Sequence, residues 1–401
     1  MDLQLLFLVL VFLVIIVLLA LRRPLYQAIL GGVVTTILLY RIPPVEWLRQ
    51  TAAVFTNWDS LAVIISLYLI TYLQRMLEAR QQIKLAQKDL DGLFHNRRVN
   101  AAIAPVFIGL LPSAAAMILC GDIIKDSTDG YLDRREQAVV TTWFRHIPES
   151  SLPTYSGVLL MANLSGVPLP QFMAGMIVPV IALISLGYFF YLRRLPTDPG
   201  TPPSENRLQD VLHLFQHLWS LLLIILLILV CKLSVVPAIL VSMALAALVY
   251  RFSGKELLKM VRSAFEPKLL ANTILVLTLK EFIAYTNVLE LVPDALSALP
   301  IPTYLIFAIL FFVGAIISGS SGIIALGTPM AFAALEGGMP LMVLLMCMVH
   351  AAMQLSPTHV CLTVAAEYFE VTLGELIRRT LPMALCFAAL MIGYYNILLL
   401  F

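Results

Sequence analysis

Residues 3–21 carry no charged side chain, and stretches of this kind recur to the end of the chain. A helix crossing the hydrocarbon core of a bilayer needs roughly 20 predominantly apolar residues. Ten segments approach or meet that length: residues 3–21, 24–40, 60–77, 138–164, 171–192, 213–231, 235–250, 269–287, 341–367 and 381–401. The composition agrees: 60% of residues are hydrophobic and only 12% charged, about half the charge of an ordinary soluble domain. The expected fold class is an all-α polytopic membrane protein in a lipid bilayer. The net charge of +2 comes from basic residues spread over loops, so no nucleic-acid partner is expected. Asp2, the length of the first apolar run and the lack of a small-residue cleavage site mark residues 3–21 as a retained helix.

Two further apolar stretches are interrupted. Residues about 101–122 break at Gly109-Leu110-Leu111-Pro112-Ser113, and residues about 302–337 break at Ser318-Gly319-Ser320-Ser321-Gly322. Both read as helical hairpins that enter the membrane and return. Irregular backbone at that depth is stable only where protein or a water-filled cavity covers it. Residues 193–212, which open on a proline-rich charged run, form a cytoplasmic linker. They divide the chain into a first unit, residues 1–192, and a second, residues 213–401.

The two units look duplicated. Tyr40-Arg41 matches Tyr250-Arg251, and Glu46, Leu48 and Phe55 match Glu256, Leu258 and Phe265, all 210 positions apart. Further along, His146, Pro153 and Thr154 match His350, Pro357 and Thr358, now 204 apart. With the N-terminus outside, 21 of the 26 Lys and Arg residues fall on the cytoplasmic side, as the positive-inside rule requires. Each unit then makes an odd number of crossings, so the second is inverted. The expectation is two inverted repeats, each of five transmembrane helices and one re-entrant hairpin, with both termini outside the inner (plasma) membrane. Residues 44–56 and 254–267 alternate charged and apolar side chains and read as interfacial helices.

The chemistry concentrates where prolines break apolar helices, in residues about 138–164 and 341–367. Broken helices free backbone N–H and C=O groups near the midplane, where inverted-repeat transporters bind substrates and coupling ions. The first break offers Arg145, His146, Glu149, Ser150, Ser151 and Thr154. The second offers His350, Gln354, Ser356, Thr358 and His359. The hairpin tips add Pro112, Ser113, Ser318, Gly319, Ser320, Ser321 and Gly322. Arg145 is read as facing an anionic substrate or as pairing structurally with Glu149 one turn away. His146, Glu149, His350 and Gln354 are the candidates for carrying a proton or holding a coupling ion. The five cysteines form no CxxC pair and read as small packing residues, so no zinc site or cofactor is expected.

The runs Gly109-Leu110-Leu111-Pro112, Trp143-Phe144-Arg145-His146, Leu164-Ser165-Gly166-Val167-Pro168-Leu169, Leu355-Ser356-Pro357-Thr358-His359-Val360-Cys361-Leu362 and Ala366-Glu367-Tyr368-Phe369 resemble the bacterial and archaeal membrane family catalogued as domain of unknown function 401. That family is similar to the ion transporter superfamily of gluconate, citrate, dicarboxylate and arsenite carriers. The resemblance implies paired re-entrant hairpins, elevator-type movement and a homodimer. Sodium-coupled dicarboxylate carriers of that superfamily carry Ser-Asn-Thr at their hairpin tips, which this chain lacks. The expected function is secondary active transport of a small organic anion coupled to H+ or Na+. A flippase for a lipid-linked or phosphate-bearing substrate is one alternative. A membrane-embedded enzyme is another, although no HExxH or GxSxG motif is present.

Overall fold

The computed structural model describes residues 3–21, 23–82, 85–86, 96–110, 115–198, 207–297, 300–357 and 359–400. All regular structure among them is helical. The first half runs through α1 (Leu3–Ala20), α2 (Leu25–Leu39), α3 (Pro44–Thr56), α4 (Trp58–Ala79), α5 (Arg97–Ile108), α6 (Ala115–Thr128), α7 (Arg134–Arg145), α8 (Ser156–Ser165), α9 (Leu169–Gly175) and α10 (Ile177–Phe190). The second runs through α11 (Arg207–Leu229), α12 (Val235–Val249), α13 (Gly254–Ser263), α14 (Pro267–Tyr285), α15 (Val292–Ser297), α16 (Thr303–Ala334), α17 (Gly338–Met353), α18 (Val360–Tyr368) and α19 (Leu373–Leu398).

Among the described residues, five helical stretches are long and apolar enough to cross a bilayer: Trp58–Ala79, Leu169–Phe190, Leu208–Leu229, Thr303–Ala334 and Leu373–Leu398. Large apolar side chains such as Leu13, Val34, Leu240, Ile309 and Leu390 lie exposed on the surface, which suits lipid rather than water. The chain is a multi-pass membrane protein.

α16 is not one straight helix but two helical arms joined at a break. Gly319 takes φ 75°, ψ 169°, a region essentially closed to residues with a side chain. A Cβ on Gly327 would lie 2.5 Å from the Phe311 ring, and one on Gly314 would lie 2.5 Å from Cδ1 of Ile323. On a straight helix residues 311 and 327 would stand about 24 Å apart. Thus α16 folds back at Gly319 into two arms. In the first half α5 and α6 also pack against one another, and their tip, with Pro112 and Ser113, lies outside the described residues.

Helix starts repeat along the chain. α2 and α12 begin at Leu25 and Val235, and α3 and α13 at Pro44 and Gly254, each pair 210 positions apart. α7 and α17 begin at Arg134 and Gly338, α8 and α18 at Ser156 and Val360, and α9 and α19 at Leu169 and Leu373, each 204 apart. Left-handed backbone recurs at corresponding helix ends: Arg41 and Arg251 (φ 51° each, 210 positions apart), Gln81 and Asn287 (51° and 53°, 206 apart), Gly166 and Glu370 (71° and 55°, 204 apart). Non-glycine residues rarely adopt this conformation, so three matched pairs are a strong internal signature.

Packing crosses between the halves. α2 and α3 lean on α14, while α12 and α13 lean on α4. α8 packs on the α16 hairpin, and α18 packs on α6 of the first hairpin. Each contact recurs with the halves exchanged.

The arginines that the charge rule places on the cytoplasmic side meet in ion-pair networks. Arg194 pairs with Glu136 (2.9 Å), Arg135 with Glu375 (2.6 Å), Arg379 with Asp133 (3.6 Å), and Arg134 with Glu370. Asp133 and Thr372 also close capping boxes at the starts of α7 and α19. The box at Thr372 explains why α19 begins eight residues before the apolar run that marks it in the sequence.

Candidate functional site

α7 stops at Arg145, ahead of the prolines. His146 caps it, a short 3-10 turn occupies Pro148–Ser150, and α8 starts only at Ser156. Pro148 brings no backbone N–H, so the ladder cannot continue through it. The freed carbonyl of Ile147 accepts from Ser151 Oγ (2.9 Å) and Ser150 Oγ (3.4 Å). Two predicted ligand serines therefore also serve as local caps. In the second half α17 ends at Met353 and α18 begins at Val360. Ser356 Oγ donates to the carbonyl of Ile316 in the α16 hairpin (3.0 Å), tying that break to the hairpin arm. Thr358 lies outside the described residues.

The two breaks meet. His146 Nε2 stands 2.9 Å from His359 Nε2. His350 Nδ1 stands 2.9 Å from Ser150 Oγ, and Gln354 Nε2 is 3.4 Å from His350 Nε2. Two imidazole nitrogens at 2.9 Å need one proton between them, one ring donating and the other accepting. A polar chain thus crosses between the halves inside an apolar protein. Buried Thr154 Oγ1 and Gln354 Oε1 have no partner among the described residues, which leaves them available to a ligand or water.

Arg145 Nη1 pairs with Glu149 Oε2 at 2.9 Å, and the same oxygen is 3.7 Å from His146 Nε2. The Arg145 side chain is 3% exposed and that of Glu149 is 29% exposed. The cation is deep, and the carboxylate stands between it and the cavity. The first hairpin closes on this point. Tyr155 Oη donates to the carbonyl of Gly109, and a Cβ on Gly109 would lie 2.2 Å from the Arg145 carbonyl oxygen. Gly109 therefore permits the tip of the hairpin to touch the end of α7.

A cavity of about 60 Å³ lies beside these groups, lined by His146, Glu149, Ser150, Tyr155, Ser156, Gly157, Ser320, Ile324, Met346, Val349, His350 and Met353. It holds a few waters or a compact ion. Arg145 stands behind this lining, paired with Glu149; the sequence offers it either that pairing or a face toward an anionic substrate. The five tip residues of the second hairpin divide their tasks. Ser320 reaches the cavity. Ser321 faces a separate space of about 30 Å³ with Ser156 and Asn272. Ser318 Oγ is held by the Gly314 carbonyl at 2.8 Å. Gly322 makes room for Ser318, whose Cβ lies 2.8 Å from where a Cβ of Gly322 would sit. Gly319 supplies the turn, with open space around it. These two glycines close the hairpin, a local role beside the substrate approach the sequence suggests for them.

Sequence reasoning missed the part played by Cys361. Its Sγ and the Nε2 or Nδ1 atoms of His146 and His359 lie within 4.8 Å of one another. His359 and Cys361 are only two positions apart, a signal legible in the sequence. The contribution of His146 from the other half is not. A larger cavity of about 340 Å³ lies between α4, α8 and α12, with Asp59 and Asn163 in its wall. It carries neither histidine nor a buried cation.

Among curated proteins none matches the chain. The fold is similar to that in the crystal structure of the Alcanivorax borkumensis YdaH transporter, described as having an unusual topology. The TM-score is 0.61 at 14% identity, over 86% of each chain. The chain belongs to the family described as Protein of unknown function (DUF401), which matches residues 4–398.

Proposed function

We propose that the protein is a secondary active transporter of a compact organic anion, working by elevator-type alternating access between two inverted repeats. The carrying observation is the convergence of both broken helices and the second hairpin tip on one cavity, with Arg145 buried behind it. A buried cation with its counter-ion at the cavity wall suits an anion that takes the counter-ion's place. The matched helix starts and exchanged packing support the inverted-repeat reading, as does similarity to a fold that serves transport in YdaH.

The coupling step follows from Glu149. While ionised it occupies Arg145 and excludes a second anion. A proton on Glu149 removes that competition at Arg145 Nη1 and lets a substrate carboxylate take the place of the Glu149 charge. This favours H+ over Na+ as the coupling ion. Substrate and proton then bind together and cross together.

Purified protein in liposomes is tested for uptake of a panel of small carboxylates under an imposed pH gradient. Concentrative uptake that a protonophore abolishes is expected. Absence of gradient-driven flux for every anion tested would overturn the reading. Glu149→Gln is expected to keep anion exchange and lose dependence on the gradient.

A further inference from the structure

We propose that His146, His359 and Cys361 form a binding site for a soft monovalent metal ion of the Cu+ class, bridging the two broken helices. The site goes beyond the anion-transport reading and does not depend on it.

Three donor atoms converge within 4.8 Å in a buried place. Two are imidazole nitrogens already 2.9 Å apart. Nitrogen ligands at about 2.0–2.1 Å from a shared ion in trigonal geometry stand roughly 3.5 Å from each other, so the rings need to separate by only about 0.6 Å. The third donor is a thiol on the first turn of α18, two residues after His359 at its N-cap. Thiolate and imidazole together select soft or borderline ions and exclude Na+, Mg2+ and Ca2+, which take oxygen.

Charge then chooses among the soft ions. The one anionic ligand is the Cys361 thiolate, since Glu149 is engaged by Arg145. A monovalent ion with one thiolate is neutral and leaves the Arg145–Glu149 pair intact. A divalent ion would leave a net positive charge a few ångströms from Arg145, in surroundings of low dielectric. Three donors also suit an ion that accepts trigonal coordination, whereas structural zinc takes four. On binding, the thiol proton leaves to solvent, and the imidazole proton between the rings moves to Nδ1 of its own ring. No electron is transferred. The ion would bond residues from both halves, His146 from one and His359 and Cys361 from the other.

The test uses protein purified in detergent with both exposed cysteines removed (Cys231→Ser/Cys386→Ser). It is titrated without oxygen against Cu+ held by a chromophoric chelator. One equivalent is expected to transfer to the protein. X-ray absorption at the copper edge is expected to show one sulfur and two nitrogen ligands. Adding Cys361→Ser or His359→Gln is expected to weaken binding by more than about 100-fold, beyond the loss from removing a supporting hydrogen bond. Cys347→Ala, at a buried thiol elsewhere, is expected to change nothing. The proposal is overturned if the parent takes no Cu+, if Cys361→Ser binds as tightly as the parent, or if Zn2+ at equal concentration displaces the bound Cu+. Should a variant not fold, the ligand set on the parent decides alone. No flux enters these readouts, so failure here leaves anion transport standing, and failure of uptake leaves this site standing.

Discussion

Arg145 and Glu149 sit one helical turn apart across the end of α7, paired at 2.9 Å, so a structural tie and the proposed anion site fall on the same two residues. The roles separate by mutation. Arg145→Ala strands Glu149 in the interior. Removing one partner of a buried pair costs about 3–5 kcal/mol, less here because Glu149 is 29% exposed. Replacing both, as Arg145→Met/Glu149→Gln, is expected to restore thermal stability in detergent close to the parent's, as apolar substitution of buried pairs often does. Transport is expected to stay abolished. Recovery of transport in the double variant would reduce the pair to a structural tie. Gly157 offers a finer probe. A methyl there meets only Ile324 Cδ1 at 3.5 Å, an ordinary contact, yet it enters a cavity of about 60 Å³. Gly157→Ala is expected to fold normally and to reject larger anions first, read as a shift in the size profile of competing substrates.

At the scale of elements, the glycines at the two hairpins are fixed for different reasons. Gly319→Ala forces a side chain into φ 75°, ψ 169° and is expected to cost about 1–3 kcal/mol. Gly109→Ala drives a methyl to 2.2 Å from backbone. It is expected to lower thermal stability and to detach the first hairpin from α7, seen as faster labelling of nearby cysteines. Helix α13 supplies a pH-dependent contact. Arg80 pairs with Glu256 at 2.9 Å, and Ser253 completes its capping box. These hydrogen bonds push the Glu256 carboxyl down to about 2 from 4.5. A depressed carboxyl contributes stability above its unfolded value and loses it as pH falls through its folded value. The contribution of this pair to docking α13 on α4 is therefore expected to weaken progressively below about pH 4.5 and to be gone below about pH 2. Protease cutting in α13 reads the change, and Glu256→Gln should remove the pH dependence. Much at this scale is legible in the sequence: the apolar runs, the proline breaks, the interfacial stretches and the capping boxes all rest on local chemistry. The break at α7 begins before Pro148 because a missing N–H acts on the turn that precedes it. The closing role of Gly322 depends on where Ser318 lies after the turn, which no local pattern states.

For the whole molecule, internal symmetry is half visible in the sequence. Tyr40-Arg41 and Tyr250-Arg251 announce it. Gln81 and Asn287 do not, since nothing about either residue declares a left-handed backbone. Asp59 and Lys268 occupy equivalent exposed positions in the first turns of α4 and α14. In an inverted repeat, single cysteines placed there react with a membrane-impermeant reagent from opposite faces, Asp59→Cys from outside and Lys268→Cys from inside. Labelling from the same face would break the inversion. The site was the least legible part, because its central contacts span the chain: His146 reaches His359 over 213 positions. That separation has a consequence for synthesis. The first half enters the membrane with a buried cation, a histidine and a half-built cavity, and α8 meets no hairpin until α16 has been made. During that interval Arg145 already has Glu149 from its own half, but His146 lacks His359 and Ser150 lacks His350, a period of incomplete pairing that a membrane chaperone or early dimerisation would shorten. A truncation ending before α16 should therefore be degraded rather than accumulate as a stable half-protein.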